Sequence, residues 1–487
     1  MLTGLTRPPR AFEGPLPVQQ PKPQSQPRVI PIQAFADPEA KVYPRSVKGR
    51  FTTWRWVFVW LTQAVFYGLC WIPWDGRQAI LFDIDARKFY LFDLVLWPQD
   101  TIYLVALLVL CALALFVFTA VAGRLWCGYA CPQTVYTEIF LAIEKWIEGD
   151  RSARIKLDAA PWSAKKALVK GAKHGAWGLF ALWTGITFVG YFVPIRELVA
   201  ELANFSAGHW SAFWVLFYGF ATYGNAGFLR EQMCRQICPY ARFQFVMLDP
   251  DSLIIAYDTA RGEPRGGRAR AADRKAMALG DCVDCGICVQ VCPTGIDIRN
   301  GLQNECIGCA ACIDACDQVM GKLDYPRGLI RYSTENAVAL RMGPADILRR
   351  ALRPRVLAYA AIFAAILGSV AWSLATRIPL RVDVIRDRGV LAREAEDGAI
   401  ENVYRLQVMN ISERARSFRI EVEGLPGIHL ADKAKVMAPG GAASSLTASV
   451  RATPEGGRRG SVPIVFRITA EDDPKVAVSE AAKFWLP

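Results

Sequence analysis

Five long apolar stretches constrain this chain more than any other feature. They run at about Thr53 to Trp74, Thr101 to Gly123, Gly175 to Ile195, Trp210 to Leu229 and Val356 to Thr376, and each approaches the roughly 20 residues that a helix needs to cross a bilayer core. They explain why 53% of the 487 residues are hydrophobic, more than soluble globular domains usually carry. The second stretch has no charge over its whole length, whereas the fourth, with Asn225 and several glycines, also suits a buried core helix. The expected architecture is a multi-domain integral membrane protein with about five transmembrane α-helices.

A formal net charge of +12 could indicate nucleic acid as a partner, but its placement points to membrane lipid and not to nucleic acid. Lys145, Arg151, Arg154, Lys156, Lys165, Lys166, Lys170 and Lys173 crowd the loop between the second and third stretches, and Arg349, Arg350, Arg353 and Arg355 precede the fifth. The loop from Pro73 to Asp100 instead holds Asp75, Asp83, Asp85, Asp93 and Asp100 against Arg77, Arg87 and Lys88. The positive-inside rule then puts the N-terminus and the loops after stretches two and four in the cytoplasm, and everything after the fifth across the bacterial inner membrane. Residues 1–45, rich in proline and glutamine, read as a disordered cytoplasmic tail. No short apolar stretch follows an initial positive charge, so the first apolar run is expected to be retained. The segment 78–97, with LFDIDARKFYLFDLVLW, suits a helix lying in the outer interface.

Fourteen cysteines carry the chemistry. Cys282, Cys285, Cys288 and Cys292 form C-x2-C-x2-C-x3-C-P, and Cys306, Cys309, Cys312 and Cys316 repeat the spacing. This is the bacterial ferredoxin pattern for two [4Fe-4S] clusters, in which each loop supplies three thiolates and the fourth comes from the other loop. The expected ligand sets are Cys282, Cys285, Cys288 and Cys316 for one cluster, and Cys306, Cys309, Cys312 and Cys292 for the other. Zinc gives no reason for two matched tetrads, and disulfides are unexpected in a cytoplasmic segment. Asp317 stands where the first motif has Pro293.

Two further pairs occur in WCGYACPQT and MCRQICPYARF, where Cys127 and Cys131 precede Pro132, and Cys234 and Cys238 precede Pro239. Each C-x3-C-P closes an apolar stretch of even number, so both are expected on the cytoplasmic face beside the tetrads. On a continuous helix the two thiols of a pair lie about 5–6 Å apart at Cβ, beyond the roughly 3.5–4.5 Å of a disulfide, and a soft metal ion suits that spacing better. The proline biases the preceding cysteine away from helical geometry. The plain alternative is four small apolar residues that recur by chance, which is how single Cys70 and Cys111 read. With only His174, His209 and His429, paired imidazoles for a membrane haem are lacking. No C-x-x-C-H, phosphate loop or nucleophile elbow is present, so neither haem nor nucleotide is expected.

The domain order follows. A four-helix membrane core with both C-x3-C-P motifs spans 46–248, and an α+β segment of 249–345 joins a connector, DPDSLIIAYDTARGEPRGG, to an inserted 2[4Fe-4S] ferredoxin domain. The fifth span occupies 346–378. From 379 to 487 short alternating pieces such as VYRLQVMN, SFRIEVEG and VPIVFRITA predict a periplasmic Ig-like β-sandwich.

These residues resemble the FixG, RdxA or CcoG group of membrane polyferredoxins, accessory to assembly of cbb-type cytochrome c oxidase. The likeness rests on both C-x3-C-P sites, the paired tetrads ending in CPTGIDIRNGLQNECIGCAACIDAC, YDTARGEPRG at 257–266, WPQD at 97–100 and the C-terminal sandwich. The resemblance implies an oxidoreductase, a cupric reductase that converts Cu(II) to Cu(I), with copper as substrate ion, a copper chaperone or transporter and the oxidase assembly machinery as partners, and an unidentified electron donor. Cys127, Cys131, Cys234 and Cys238 would then be the thiolates that hold copper. Proteins of nitrate and nitrous-oxide respiration share the C-x3-C-P core. Two other functions therefore stay open: a relay between a quinone pool or soluble donor and a respiratory enzyme, and a copper-binding scaffold with structural clusters.

Overall fold

A computed structural model describes residues 41–487 apart from 269–276, 388–391, 396–397, 413, 432–433 and 454–458. Most of the expected N-terminal tail, 1–40, lies outside the described residues. Its last residues do not behave as a tail. Tyr43 donates its hydroxyl to Asp158 at 2.7 Å, and the Arg45 amide donates to the Gln290 carbonyl at 2.8 Å.

The apolar stretches form the helices Arg50–Leu69, Thr101–Ala122, Ala164–Val189, His209–Gly224 and Pro354–Ala375. Thr101–Ala122 and Pro354–Ala375 are long and apolar enough to cross a membrane. The other three are interrupted by charge or end early. The first stops at Leu69, because Asp75 and Gly76 both take left-handed backbone (φ 45° and 75°) and turn Pro73–Trp74 back onto Arg77–Gln78. The third begins at Ala164, well ahead of its apolar part, and its charged start does not face solvent freely. Lys170 and Lys173 pair with Glu148 at 2.8 and 3.0 Å, and Arg154 pairs with Glu144 at 3.1 Å. Part of the positive charge between stretches two and three is thus neutralised inside the protein.

The expected interfacial helix at 78–97 is instead an antiparallel meander of Ile80–Asp83, Lys88–Leu91 and Leu94–Leu96. Its alternation has period two, which places residues on opposite faces of a strand, and Arg87 and Phe92 supply the left-handed turns (both φ 54°). WPQD follows it. Asp100 is buried and pairs with Arg377 at the end of the last long helix, so this sequence ties the meander to the start of the C-terminal domain.

The stretch read as a connector belongs to the tetrad-bearing fold. Ile254–Tyr257 pairs antiparallel with Ile330–Ser333, and YDTARGEPRG wraps the entry to the first tetrad. There Asp258 caps the turn at the Arg261 amide and binds Arg331 at 2.9 Å, while Arg261 binds Asp281 at 2.5 Å. Several contacts fix this fold to the first apolar helix, Phe51 against Tyr332 among them. Asp314, on the helix Ala311–Lys322, accepts the Phe51 and Thr52 amides at 3.2 and 2.7 Å, satisfying donors that every helix start leaves orphaned.

The C-terminal region is a two-sheet sandwich. One sheet runs His429–Leu430, Ala442–Ala452, Ile400–Asn410, Leu380–Arg386, and the other Lys435–Ala438, Arg416–Glu423, Gly460–Ala470, Ala477–Leu486. Alternate residues face inward, so Tyr404, Leu406, Phe418, Phe466 and Phe484 are fully buried. Such burial contributes about 1.5–3 kcal/mol per large side chain.

Candidate metal centre

The two tetrads are built on one backbone pattern. Between the first and third cysteines of the first motif, Asp284 and Gly286 take left-handed conformation (φ 51° and 62°); in the second, Gly308 and Ala310 do so (φ 71° and 60°). Alternating handedness curls each loop so that three thiols share its concave side, a form that presents amides to a bound anion. The third cysteine of each then opens a helix, Ile287–Gln290 or Ala311–Lys322.

The thiols gather in two cavities. Cys282, Cys285, Cys288 and Cys316 line one of about 30 Å³ with Tyr257, Met320 and Ile330. Cys292, Cys306, Cys309 and Cys312 line another of about 20 Å³ with Ile255, Ile296 and Ile298, and Cys288 borders both. Each cavity therefore draws its fourth thiol from the other motif. Among the described residues no three His, Cys, Asp or Glu side chains converge closely enough to hold a single metal ion. Burial pushes the Cys306 and Cys316 thiols up to about 12 and Cys288 to about 11. Such thiols keep their protons unless a bound cation draws them off. An apolar four-thiol cage whose fourth ligand comes from the other motif fits a [4Fe-4S] cluster.

The C-x3-C-P cysteines do not sit on continuous helices. Cys127 lies on the short helix Leu125–Tyr129, and Cys131 is the extended residue (φ −62°, ψ 129°) before the helix Pro132–Glu148. Cys234 lies in the π-helical turn Met233–Ile237, and Cys238 (φ −67°, ψ 109°) precedes the helix Pro239–Met247. The i, i+4 spacing of an unbroken helix is thus corrected to a bend at each second cysteine. Its cause is the following proline, which has no amide hydrogen and fits the first helical position. All four thiols are half-buried and feel one another: burial, then the charge of Cys131, then Cys234 and Cys238 push Cys127 up to about 12, with Arg124 opposing. Burial and the charges of Cys131 and Cys238 likewise push Cys234 up to about 12.

Backbone contact joins this quartet to the second tetrad. A Cβ placed on Gly128, between Cys127 and Cys131, would lie 2.8 Å from the Gly308 carbonyl and 2.9 Å from the Cys309 Cα. Only glycine allows the two loops to touch. Arg124 fastens the same junction. Its guanidinium donates to the Cys306 carbonyl at 3.2 Å, to Asn304 Oδ1 at 3.0 Å and to the Ala241 carbonyl, and its charge acts on the thiols of Cys127, Cys306 and Cys234. Cys127 donates its Sγ hydrogen to Gln244 Oε1 at 3.2 Å, and buried Gln244 donates in turn to Thr119 at 3.2 Å. Arg124, Gly128, Gln244 and Asp314 are residues that the sequence reading did not single out. The only signal of them is an arginine and a glycine beside one cysteine of a pair.

Comparison with known proteins agrees with this partition. Residues 229–335 match the family model described as a 4Fe-4S dicluster domain, and 370–487 match that of the IG-like fold at the C-terminal of FixG. Residues 104–150, which include Cys127 and Cys131 but neither tetrad, match a 4Fe-4S binding domain. The chain is 37% identical over 417 residues to the nitrogen fixation protein FixG of Rhizobium meliloti, covering 79% of this chain and 80% of that one. It is 36% identical over 399 residues to the protein RdxA of Cereibacter sphaeroides, covering 80% and 84%. A crystal structure of a FixG-related protein from Vibrio parahaemolyticus, 25% identical, covers 22% of this chain and 95% of that one with a TM-score of 0.20.

Proposed function

Because this chain belongs to the FixG/RdxA family and is an iron-sulfur redox protein, we propose that it is a membrane-bound cupric reductase that turns Cu(II) into Cu(I) for delivery during cbb-type oxidase assembly. In this reading it is a multi-pass protein with five spans, its C-x3-C-P sites and ferredoxin domain face the cytoplasm, and its sandwich is periplasmic. The observation that carries it is the glycine-to-backbone contact of Gly128 with Gly308 and Cys309, which sets a quartet of soft ligands directly against the second tetrad.

The tetrads hold the clusters through Cys282, Cys285, Cys288 and Cys316, and through Cys292, Cys306, Cys309 and Cys312. Bound there, [4Fe-4S] clusters supply electrons singly, as the one-electron step from Cu(II) to Cu(I) requires. Cys127, Cys131, Cys234 and Cys238 take the copper. Thiolates favour Cu(I) over Cu(II), whose preference is for nitrogen and oxygen, so the quartet stabilises the product of the reduction. Burial raises the Cys131 thiol, and the Thr134 and Gln133 amides at the start of its helix offset part of that rise. Arg124 places a fixed positive charge at the junction and holds the two loops in register.

Anaerobically purified protein, challenged with Cu(II) and a Cu(I) chelator, tests this. Cys127→Ser/Cys131→Ser should keep the cluster absorbance and lose both copper binding and Cu(I) formation; unchanged Cu(I) formation overturns the role of the thiols. A second reading follows from the match of residues 104–150 to a 4Fe-4S binding domain, in which the quartet holds a third cluster. About eight irons per chain support two clusters, and about twelve support three.

A further inference from the structure

A third cavity, larger than those of the tetrads at about 510 Å³, borders the second tetrad. It falls within the roughly 300–1,000 Å³ of small-molecule sites. Its floor is the ferredoxin domain: Val291 and Pro293 flank Cys292, and Ala311 precedes Cys312. Its walls come from the start of the first apolar helix, through Thr52, Arg55 and Trp56, and from the helix Pro132–Glu148, through Glu138, Ala142 and Trp146.

We infer that this cavity binds the ring of a lipid-soluble quinone, whose hydroquinone form is the electron donor. Its depth is the first argument. Trp54 and Trp60 on the first helix face outward, 51% and 69% exposed, and Trp146 is 85% exposed at the cavity wall. Such tryptophans collect at the membrane-water boundary, where a quinone ring with its tail in lipid can enter. The second argument is the wall chemistry. Trp56, Leu141 and Val291 offer flat apolar surface, while Arg55 and Lys145 offer donors to the two ring oxygens. Arg55, buried and paired with Glu138 at 2.6 Å, is held in place before a ligand arrives. The third argument is adjacency, because the cavity floor is the backbone that carries Cys292 and Cys312.

The redox balance closes on the proposed function, on which this step rests. One hydroquinone oxidised to quinone releases two electrons and two protons. The electrons reduce two Cu(II) to two Cu(I), and the two protons pass to water. Donor and acceptor sites then both adjoin the second tetrad.

The test uses the whole protein in nanodiscs, without copper, so that its outcome is independent of what the quartet binds. An azido derivative of decylubiquinone is photocrosslinked and the labelled peptides are mapped. Labelling is expected on Trp54–Trp56 and Leu141–Trp146, competed by excess decylubiquinone. Ala142→Trp fills the cavity and should weaken labelling about tenfold or more, a loss of roughly 1.4 kcal/mol. Trp146→Ala, at a largely exposed site, should also weaken it and guards against a folding defect in the first variant. Leu104→Trp, on the exposed face of the second apolar helix, should leave it unchanged. Decylubiquinol should bleach the cluster absorbance of the wild type but not of Ala142→Trp, while dithionite bleaches both. Labelling elsewhere, equal labelling in the cavity variants, or competition by anionic phospholipid but not by decylubiquinone overturns the site.

Discussion

The two C-x3-C-P arms share a spacing, a proline and a bend at the second cysteine, yet they are held in place by different means. In the first, Gly128 meets the second tetrad loop backbone to backbone, and the Thr134 hydroxyl donates to the Cys127 carbonyl at 2.5 Å. At the equivalent place the second arm has Arg235, and no glycine. Cys234 instead sits in one of two π-helical turns, Asn225–Leu229 and Met233–Ile237, on either side of left-handed Arg230 (φ 29°). The Arg230 guanidinium is buried and bonds Glu144 at 3.0 Å. π-turns often mark functional positions, and a non-glycine residue in left-handed backbone persists only where its surroundings enforce it. Both Cys127 and Cys234 pack against the tetrad core, but only the first arm meets it backbone to backbone, while the second relies on its π-turns and the buried Arg230–Glu144 pair.

The largest expected effect breaks the first arm. Gly128→Val has no room for its Cβ, and a misplacement of about 1 Å can cost about a hundredfold in rate, so Cu(II) reduction should fall by about that factor. Arg235→Val, its counterpart, should stay within about twofold; equal effects would show that the arms are not held differently. Next is the ion pair behind the second arm. Arg230→Met leaves Glu144 with Arg154 but short of one partner in a buried network and should destabilise the protein by about 1–3 kcal/mol, read by thermal unfolding. Maleimide should then label Cys234 faster and Cys127 at its usual rate.

A smaller effect is expected from Asp314→Ala, which removes the cap on the first apolar helix and should cost about 1 kcal/mol. Limited proteolysis near Arg50 should accelerate, with the second arm unaltered. The smallest concerns Asp150, which anchors the ordered segment before the first helix. Burial alone would raise its carboxyl, but hydrogen bonds from the Arg151 and Ser46 amides and the Ser46 hydroxyl outweigh this and hold it below its ordinary value. A carboxyl lowered in the folded state stabilises fully above the unfolded value of about 3.9, and that contribution is lost as pH falls through the lowered native value. Hydrogen exchange at Ser46 should therefore quicken in acid, and Asp150→Asn should abolish the dependence.

Much of this was legible in the sequence because its signals are local. The tetrads announce themselves by spacing, and the inward residues of the sandwich, such as Tyr404, Leu406 and Val408, alternate as strands must. What the sequence hid is carried by long-range contacts. Arg124 meets Asn304 and Cys306, Asp314 meets Phe51 and Thr52, and Ile254–Tyr257 finds its partner strand at Ile330–Ser333. None of these pairings leaves a periodic mark. The meander at 80–96 was misread because its aromatic and charged residues fit an amphipathic helix in composition but a strand in period. The bend at each C-x3-C-P was half legible: the proline gave its place, while the short helix before Ala130 and the π-turn before Cys238 depend on what each arm packs against.

The wiring between the quartet and the second tetrad is tested most directly by mixing fully reduced, cluster-loaded protein with Cu(II) in the absence of oxygen and following the visible absorbance. In the wild type the clusters should reoxidise as Cu(I) appears, one Cu(I) per electron. In Cys127→Ser/Cys131→Ser the clusters should be present and remain reduced. Reoxidation at the same rate in both proteins would contradict the path from tetrad to thiol.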